Sequence, residues 1–197
     1  MDAKECIIKR KSCRQFESKP ISWDIVYDII DAARYAPSPK NRQPWRFAVL
    51  YGATKAYFIL QCRNSTSANI TCDNYLMNNE IPSEKETFDI ADKAPILILV
   101  YNAYPSEMTL KKINDSFDNM NVQAIGAAIQ NILLRATELG LSCLCIGDIT
   151  SVDVQVSQKY APNCKLISGI VLGYSAENEN HNTEHLDVSE LITFIGG

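Results

Sequence analysis

The segment Arg10-Lys11-Ser12-Cys13-Arg14 places three cations and a hydroxyl within five residues. That set suits a phosphate group: arginine offers a planar fork for bidentate contact, and serine adds a short donor. The competing reading is a solvated basic turn, since charge runs usually lie on the surface. A second segment, Ala36-Pro37-Ser38-Pro39-Lys40-Asn41-Arg42-Gln43-Pro44-Trp45, is chemically equipped in another way. Its prolines pre-set backbone angles and lower the cost of ordering the loop. Ser38, Asn41 and Gln43 carry hydroxyl and amide groups that can address the edge of a heterocycle, and Trp45 can anchor the loop in a core. The competing reading here is a structured turn between helix and strand.

Other groupings point less far. His181 and His185 lie in an acidic, Asn-rich stretch without helical periodicity. Cys143 and Cys145 flank Leu144, so both thiols are expected on one buried face of a strand. Neither pair supplies a four-ligand set, and no metal site is expected. No Gly-x-Gly-x-x-Gly and no P-loop is present, so no dedicated dinucleotide cradle is visible.

These segments must be positioned by regular structure. Residues 3–10 read as a short helix leading into the basic turn. A second helix is expected from Trp23 to about Ala36, with Ser22 as N-cap and Ile21 as staple. Its apolar face would be Ile25, Val26, Ile29, Ile30 and Ala33, and Pro37 would end it. Arg46–Tyr51 reads as a strand and 53–62 as a helix. Residues 63–93 are polar with weak periodicity, either a lid or a helical excursion. Ile96–Tyr101 is a continuous apolar run, hence a buried strand. The long helix expected at Val122–Leu139 is apolar on most sides: Val122, Ile125, Ile129, Ile132, Leu133, Ala136 and Leu139 mark one face, and Ala124, Ala127, Ala128 and Leu134 widen it. Such a helix is covered by its own core or by a second subunit. Gly140 would end it. Leu141–Ile146 and Leu166–Leu172 read as buried strands, with a helix at 151–160 between them. Apolar residues return at Leu186–Phe194, which should pack on something.

The chain has 197 residues, 46% hydrophobic and 21% charged, with a net charge of -4. One domain over 1–197 accommodates this. No basic footprint suggests nucleic acid, and no apolar run of about 18 residues suggests a membrane span. Seven cysteines, an odd number, do not form the even framework of a small secreted domain. With no apolar leader at the N-terminus, the expectation is a reduced, cytoplasmic protein.

Taken together, the two chemical segments resemble the signature of the nitroreductase family, a basic Arg-Arg-Ser-x-Arg turn followed by Ala-Pro-Ser-x-x-Asn-x-Gln-Pro-Trp. Arg10 to Arg14 and Ala36 to Trp45 match it at the family's spacing. Ala94-Pro95 before the apolar run, Gln130-Asn131-Ile132-Leu133-Leu134, Leu139-Gly140-Leu141-Ser142-Cys143 and Ile170-Val171-Leu172-Gly173-Tyr174 extend the likeness over residues 4–194. The resemblance implies an α+β, three-layer fold: a central mixed, mainly antiparallel sheet flanked by helices, in an intertwined homodimer with FMN at the subunit interface. It implies that Arg10, Lys11, Ser12 and Arg14 meet the FMN phosphate and ribityl groups. Pro37, Ser38, Pro39 and Asn41 would meet the flavin from the partner subunit, and the backbone at Ile146 and Gly147 would face its ring. Family members often close on the phosphate with a second basic residue near the C-terminus. Here His185, a weaker cation near neutral pH, is the candidate for that place.

The implied activity is transfer of hydride from NADH or NADPH through the flavin to a small acceptor such as a nitroaromatic or quinone, in two-step, ping-pong fashion. The flavin carries that chemistry, so no side chain is named as catalytic acid or base. Phe117 and the 63–93 region are candidates for the acceptor pocket's wall or lid, with a core role for Phe117 as the competing reading. A non-catalytic FMN-binding or regulatory protein, and a specialised flavin oxidase or dehalogenase on the same scaffold, stay open, because the same residues would serve them.

Overall fold

The computed structural model describes residues 1–68, 84–105, 111–176 and 185–196. Four strands, β1 (Trp45–Tyr51), β2 (Ile96–Asn102), β3 (Ser142–Ile146) and β4 (Lys165–Gly173), form one sheet in the order β1-β2-β4-β3. Every pairing between them is antiparallel. The parallel element among the described residues is a single bridge, Ser12 to Cys143, so "mixed" rests on that bridge alone.

β2 is buried at all seven positions, as its unbroken apolar run requires of a strand covered on both faces. Its side chains alternate between two cores. Ile96, Ile98 and Val100 join one core with α2 (Trp23–Ala33) and α5 (Lys111–Glu138), while Leu97, Leu99 and Tyr101 join the other. That second core is closed by α3 (Gly52–Ala68), α4 (Glu84–Lys93) and the region of α6 (Val154–Gln158). The result is helix–sheet–helix, with each sheet face burying one apolar set.

The helices follow their sequence cues with stated exceptions. In α2, Val26, Ile29 and Ala33 are buried as expected. The helix stops at Ala33 rather than near Ala36, because Arg34, Tyr35 and Ala36 donate to Asp31, Ala32 and Ala33 in tighter i to i−3 turns, as the chain approaches Pro37. Ser22 occupies the N-cap position, but its side chain makes no capping bond. α5 buries Ala124, Ile125, Ala128, Ile132 and Ala136, whereas Val122 is 43% exposed. Gly140, at φ 76°, ends α5 in a Schellman turn: Leu141 N–H donates to Ala136 O and Gly140 N–H to Thr137 O. Arg135 ties α5 to α2 through a two-pronged contact with Asp28 (3.3 and 2.5 Å).

The polar 63–93 stretch is partly helical: α3 runs on to Ala68 and α4 begins at Glu84. Residues 69–83 and the Phe117 side chain lie outside the described residues. α4 is fastened by Lys55 of α3, which is buried and donates to the carbonyls of Ala91 (3.0 Å), Asp92 (2.7 Å) and Ala94. The cation satisfies carbonyls that the helix end would otherwise leave unpaired. Burial pulls its pKa below the ordinary lysine value, against the opposing pull of Asp92. Residues 151–160 contain only the short α6 after a 3₁₀ turn at Asp148–Ser151. Among the described residues, the expected packing of Leu186–Phe194 is absent. α7 (Val188–Leu191) and the residues after it are exposed, with Phe194 at 93%.

Gly173 closes β4 at a tight point. A Cβ there would lie 2.6 Å from Phe16 Cδ1 and 3.0 Å from Pro95 Cδ. Both are ring atoms that cannot swing aside. Gly173→Ala is therefore expected to cost about 1–3 kcal/mol by overpacking, measured by urea denaturation. An unchanged midpoint would mean that Phe16 is held less firmly than its 7% exposure indicates.

Candidate functional site

The basic turn is held at both ends by apolar anchors. α1 (Ala3–Lys9) starts with a capping box between Asp2 and Glu5, and seats Cys6 in the core. Arg10 then leaves the helix in an extended conformation, its N–H still bonded to Cys6 O at 2.9 Å. Beyond the turn, Cys13 and Phe16 are buried. Cys13 N–H donates to Cys143 O (2.9 Å), and Phe16 bridges Ser175. Burial is thus carried by Cys6, Cys13 and Phe16, which leaves Arg10 half-buried and Lys11, Ser12 and Arg14 exposed. A backbone fixed at both ends limits the freedom these side chains lose on gripping an anion.

The turn lies along the free edge of β3. The Cys143 carbonyl points to that edge, since it accepts from Cys13, while the Ile146 carbonyl accepts the Ser168 hydroxyl of β4 at 3.2 Å. Peptides alternate sides along a strand, so the Cys145 peptide also faces the open edge. Gly147 follows, exposed, with nothing within 4 Å of where a Cβ would stand. Ile146 itself is buried, with 2% exposure. The edge therefore offers the backbone of Cys145 and Gly147 more readily than that of Ile146. Cys145 was absent from the sequence-level candidates. The signal that could have found it is its phase, two residues beyond the position that Ser12 adjoins.

The second segment is a strained loop. Lys40, Asn41 and Gln43 have φ of 51°, 54° and 48°. Three left-handed non-glycine residues in four positions persist only where the surroundings impose them, and such strain clusters at ligand sites. Several hydrogen bonds impose it here. Ser38 Oγ accepts Gln43 N–H (3.0 Å), Asn41 N–H donates to Ser38 O and Arg42 N–H to Pro39 O (both 3.0 Å). Buried Pro44 and Trp45 root the loop, with Ala103 N–H bonded to Pro44 O at 2.8 Å. The Arg42 guanidinium stacks over the Tyr104 ring, 4.6 Å from its centroid.

The two segments do not meet within the chain. Ser12 adjoins β3 at one corner of the sheet, level with Tyr51, whereas the loop enters β1 at Trp45, at the diagonally opposite corner. Four strand spacings across and six residues along amount to roughly 25–30 Å. A mononucleotide cannot touch both in one subunit. His185 is exposed, two residues before Asp187, the N-cap of the helix at Val188–Leu191, and residues 177–184, including His181, lie outside the described residues.

Comparison with known proteins places this geometry. The sequence profile of the Nitroreductase family matches residues 7–174. A relative in Methanothermobacter thermautotrophicus, provisionally named an NADH dehydrogenase/NAD(P)H nitroreductase, is 28% identical over 186 residues, covering 90% of this chain and 80% of that protein. The fold is similar to that of the FMN-dependent nitroreductase of Mycobacterium smegmatis solved with NADPH (TM-score 0.76, 16% identity, 98% of each chain). It is also similar to a nitroreductase of Bacteroides fragilis with bound FMN (TM-score 0.73, 23% identity, 100% of each chain). With the family profile spanning most of its length, and with its helix–sheet–helix architecture shared by these structures, the chain belongs to the nitroreductase family.

Proposed function

We propose that the chain is an FMN-dependent oxidoreductase that takes hydride from NADH or NADPH and passes it to a small acceptor, with each cofactor held between two copies of the chain. The observation that carries this reading is the Arg10–Arg14 turn fixed against the open edge of β3. The donor set fits FMN. Arg10, Lys11 and Arg14 match a phosphate dianion, and Ser12 adds a neutral donor. The open space beside Gly147 admits a planar ring close to the backbone.

When bound, FMN supplies the hydride chemistry. The chain's own residues do the rest. Arg10, Lys11, Ser12 and Arg14 hold the phosphate end. The outward peptides of Cys145 and Gly147 present backbone donors to the ring, and N–H groups aimed at that edge favour negative charge there. Pro37, Ser38, Pro39 and Asn41, pre-shaped by their strained loop, reach the ring from the partner. The diagonal separation of the two segments supports this two-subunit site, as does the exposed apolar tail from Leu186 onward. His185 remains the candidate for closing on the phosphate from the C-terminal side.

The purified protein should be yellow, with one FMN per subunit. Under anaerobic conditions NADH or NADPH should bleach the flavin absorbance, and a quinone or nitroaromatic should restore it. A flavin that binds but is bleached by neither nicotinamide would favour a non-catalytic binder. A colourless monomer that ignores added FMN would sink the proposal.

A further inference from the structure

We infer that Arg42, seated on Tyr104 with Lys40 beside it, selects acceptors that carry a carboxylate on the ring being reduced; this deepens the function proposed above and rests on it. From residue 36 to residue 51 the chain holds Lys40, Arg42 and Arg46 and no acidic side chain, in a protein whose net charge is -4. All three cations are exposed. An acidic protein repels anions in general, so a local cationic patch decides where one is drawn in.

The patch is built from the core outward. Arg42 follows Asn41, a residue proposed to meet the flavin ring, one step of about 3.8 Å along the backbone. Its guanidinium lies over the Tyr104 ring, 4.6 Å from the centroid. Stacking engages the flat face of a guanidinium, while its donors lie in the plane, where they match the two oxygens of a carboxylate. Tyr104 is itself fixed by two asparagines. Asn102, at the end of β2, accepts Tyr104 N–H on Oδ1 (2.9 Å), and Asn121 of α5 donates through Nδ2 to Tyr104 O (3.5 Å). Both amides are 1% exposed, and burying such groups is costly without bonds of this kind. The neighbouring Ala103 N–H ties the same segment to Pro44 O in the loop. Arg46 braces the loop from its far end, donating to the carbonyls of Gln43 and Trp45 (3.3 and 2.7 Å). Asn121 Oδ1 is buried and takes no hydrogen bond. Unsatisfied buried groups are rare in native folds and mark where a bound molecule or water completes the set.

The place of Arg42 narrows the class of anion. A cation one residue from a ring contact addresses a molecule of ring size stacked there, whose carboxylate stands at the edge of the same ring. The phosphates of NADH and NADPH stand further from the nicotinamide, beyond its ribose.

The test is steady-state reduction of 4-nitrobenzoate and of its neutral analogue 4-nitrobenzamide, with NADH as donor. Arg42→Gln should lower the ratio of kcat/KM for the benzoate over the benzamide at least about tenfold, through a higher KM for the benzoate, because charge-assisted bonds are lost. Arg42→Lys should recover part of that ratio. Added salt should slow the wild type on the benzoate more than Arg42→Gln. Binding of 4-nitrobenzoate to the oxidised, FMN-loaded protein, read without turnover from the flavin absorbance, should weaken by the same factor. If Arg42→Gln retains too little flavin, Tyr104→Leu keeps the charge and removes its platform, and should lower the ratio about threefold. An unchanged ratio in a flavin-loaded variant would overturn this inference alone. So would a KM for NADH that rises as much as that for the benzoate, since Arg42 would then serve the dinucleotide. A chain that takes up no FMN, or whose flavin neither nicotinamide bleaches, would overturn both this inference and the function on which it rests.

Discussion

Replacing Arg10 and Arg14 together by alanine should weaken FMN binding on the order of a thousandfold while leaving the fold intact. In the proposed site each arginine would contribute charge-assisted hydrogen bonds to the phosphate, worth roughly 1.5–3 kcal/mol apiece, and a tenfold change in affinity corresponds to about 1.4 kcal/mol. The fold should not notice, because the turn is positioned by other groups. Arg10 caps α1 through its backbone N–H, which alanine keeps, and the anchoring contacts belong to Cys6, Cys13 and Phe16. Arg14 is exposed and Arg10 half-buried, and surface substitutions away from such anchors usually stay within about 0.5 kcal/mol. Two further variants separate charge from geometry. Lysine at both positions keeps the charge but loses the planar fork, so it should recover only part of the affinity. Raising salt should weaken the wild type more than the double alanine variant, since screening acts on the charges that remain. Flavin fluorescence titration reads all of these. A double alanine variant that binds FMN as the wild type does would move the phosphate to another part of the molecule.

The parts of the molecule readable in advance share a cause. β2 and β4 could be read because strands covered on both faces are mostly apolar: 96–101 is so throughout, and 166–172 is so apart from Ser168 and Gly169. α5 could be read because Ile125, Ile132 and Ala136 recur at helical spacing and Gly140 supplies the left-handed residue that ends it. These are local rules acting on local sequence. What escaped depends on which distant segments meet. Nothing near Ser12 says that it will adjoin Cys143, more than a hundred residues away, and that single bridge sets the basic turn against the strand edge, as half of the proposed site. The exposure of Cys145, where Cys143 is buried as expected, follows from where a remote helix face stops. The left-handed angles of Lys40 and Gln43 were hidden because neither is a residue type that signals such angles. α4 was hidden for a different reason. Its outer face is polar, and among its described side chains Phe88 and Ala91 enter the core with Ile90 packed against it, so the weak apolar rhythm did not announce a helix. Of the two chemical segments, type and spacing were legible, but their placement at opposite corners of one sheet was not. That placement is what turns a resemblance into a geometric argument for a second subunit.

A second subunit should be held above all by the C-terminal residues. Deleting residues 186–197 should convert a dimer with bound FMN into a species that is largely monomeric at micromolar concentration and retains little flavin. Within one chain this tail exposes Leu186 (65%), Val188 (64%), Leu191 (65%), Phe194 (93%) and Ile195 (94%). Burying a side chain of this kind fully is worth about 1.5–3 kcal/mol, so the tail of each subunit could contribute several kcal/mol beyond the cost of ordering it. That cost is already reduced. α7 begins with a capping box in which Asp187 accepts from Ser189 N–H (2.8 Å) and Glu190 accepts from Asp187 N–H (3.3 Å). The Ser189 hydroxyl, and after it the Ser189 N–H, donate to the Asp187 carboxylate and hold its pKa below the ordinary value. An exposed apolar segment with a preformed helical start is built to cover something, and two-fold symmetry would let each subunit's tail cover the other, doubling the buried area. Sedimentation velocity on the truncated chain, with flavin content read from absorbance, checks both halves of the expectation. Paired Phe194→Asp and Ile195→Asp substitutions should reproduce the effect without shortening the chain, since burying a carboxylate is costly. A truncated protein that stays dimeric and yellow would move the interface to α5, where apolar Val122 is exposed beside buried Asn121, Ala124 and Ile125.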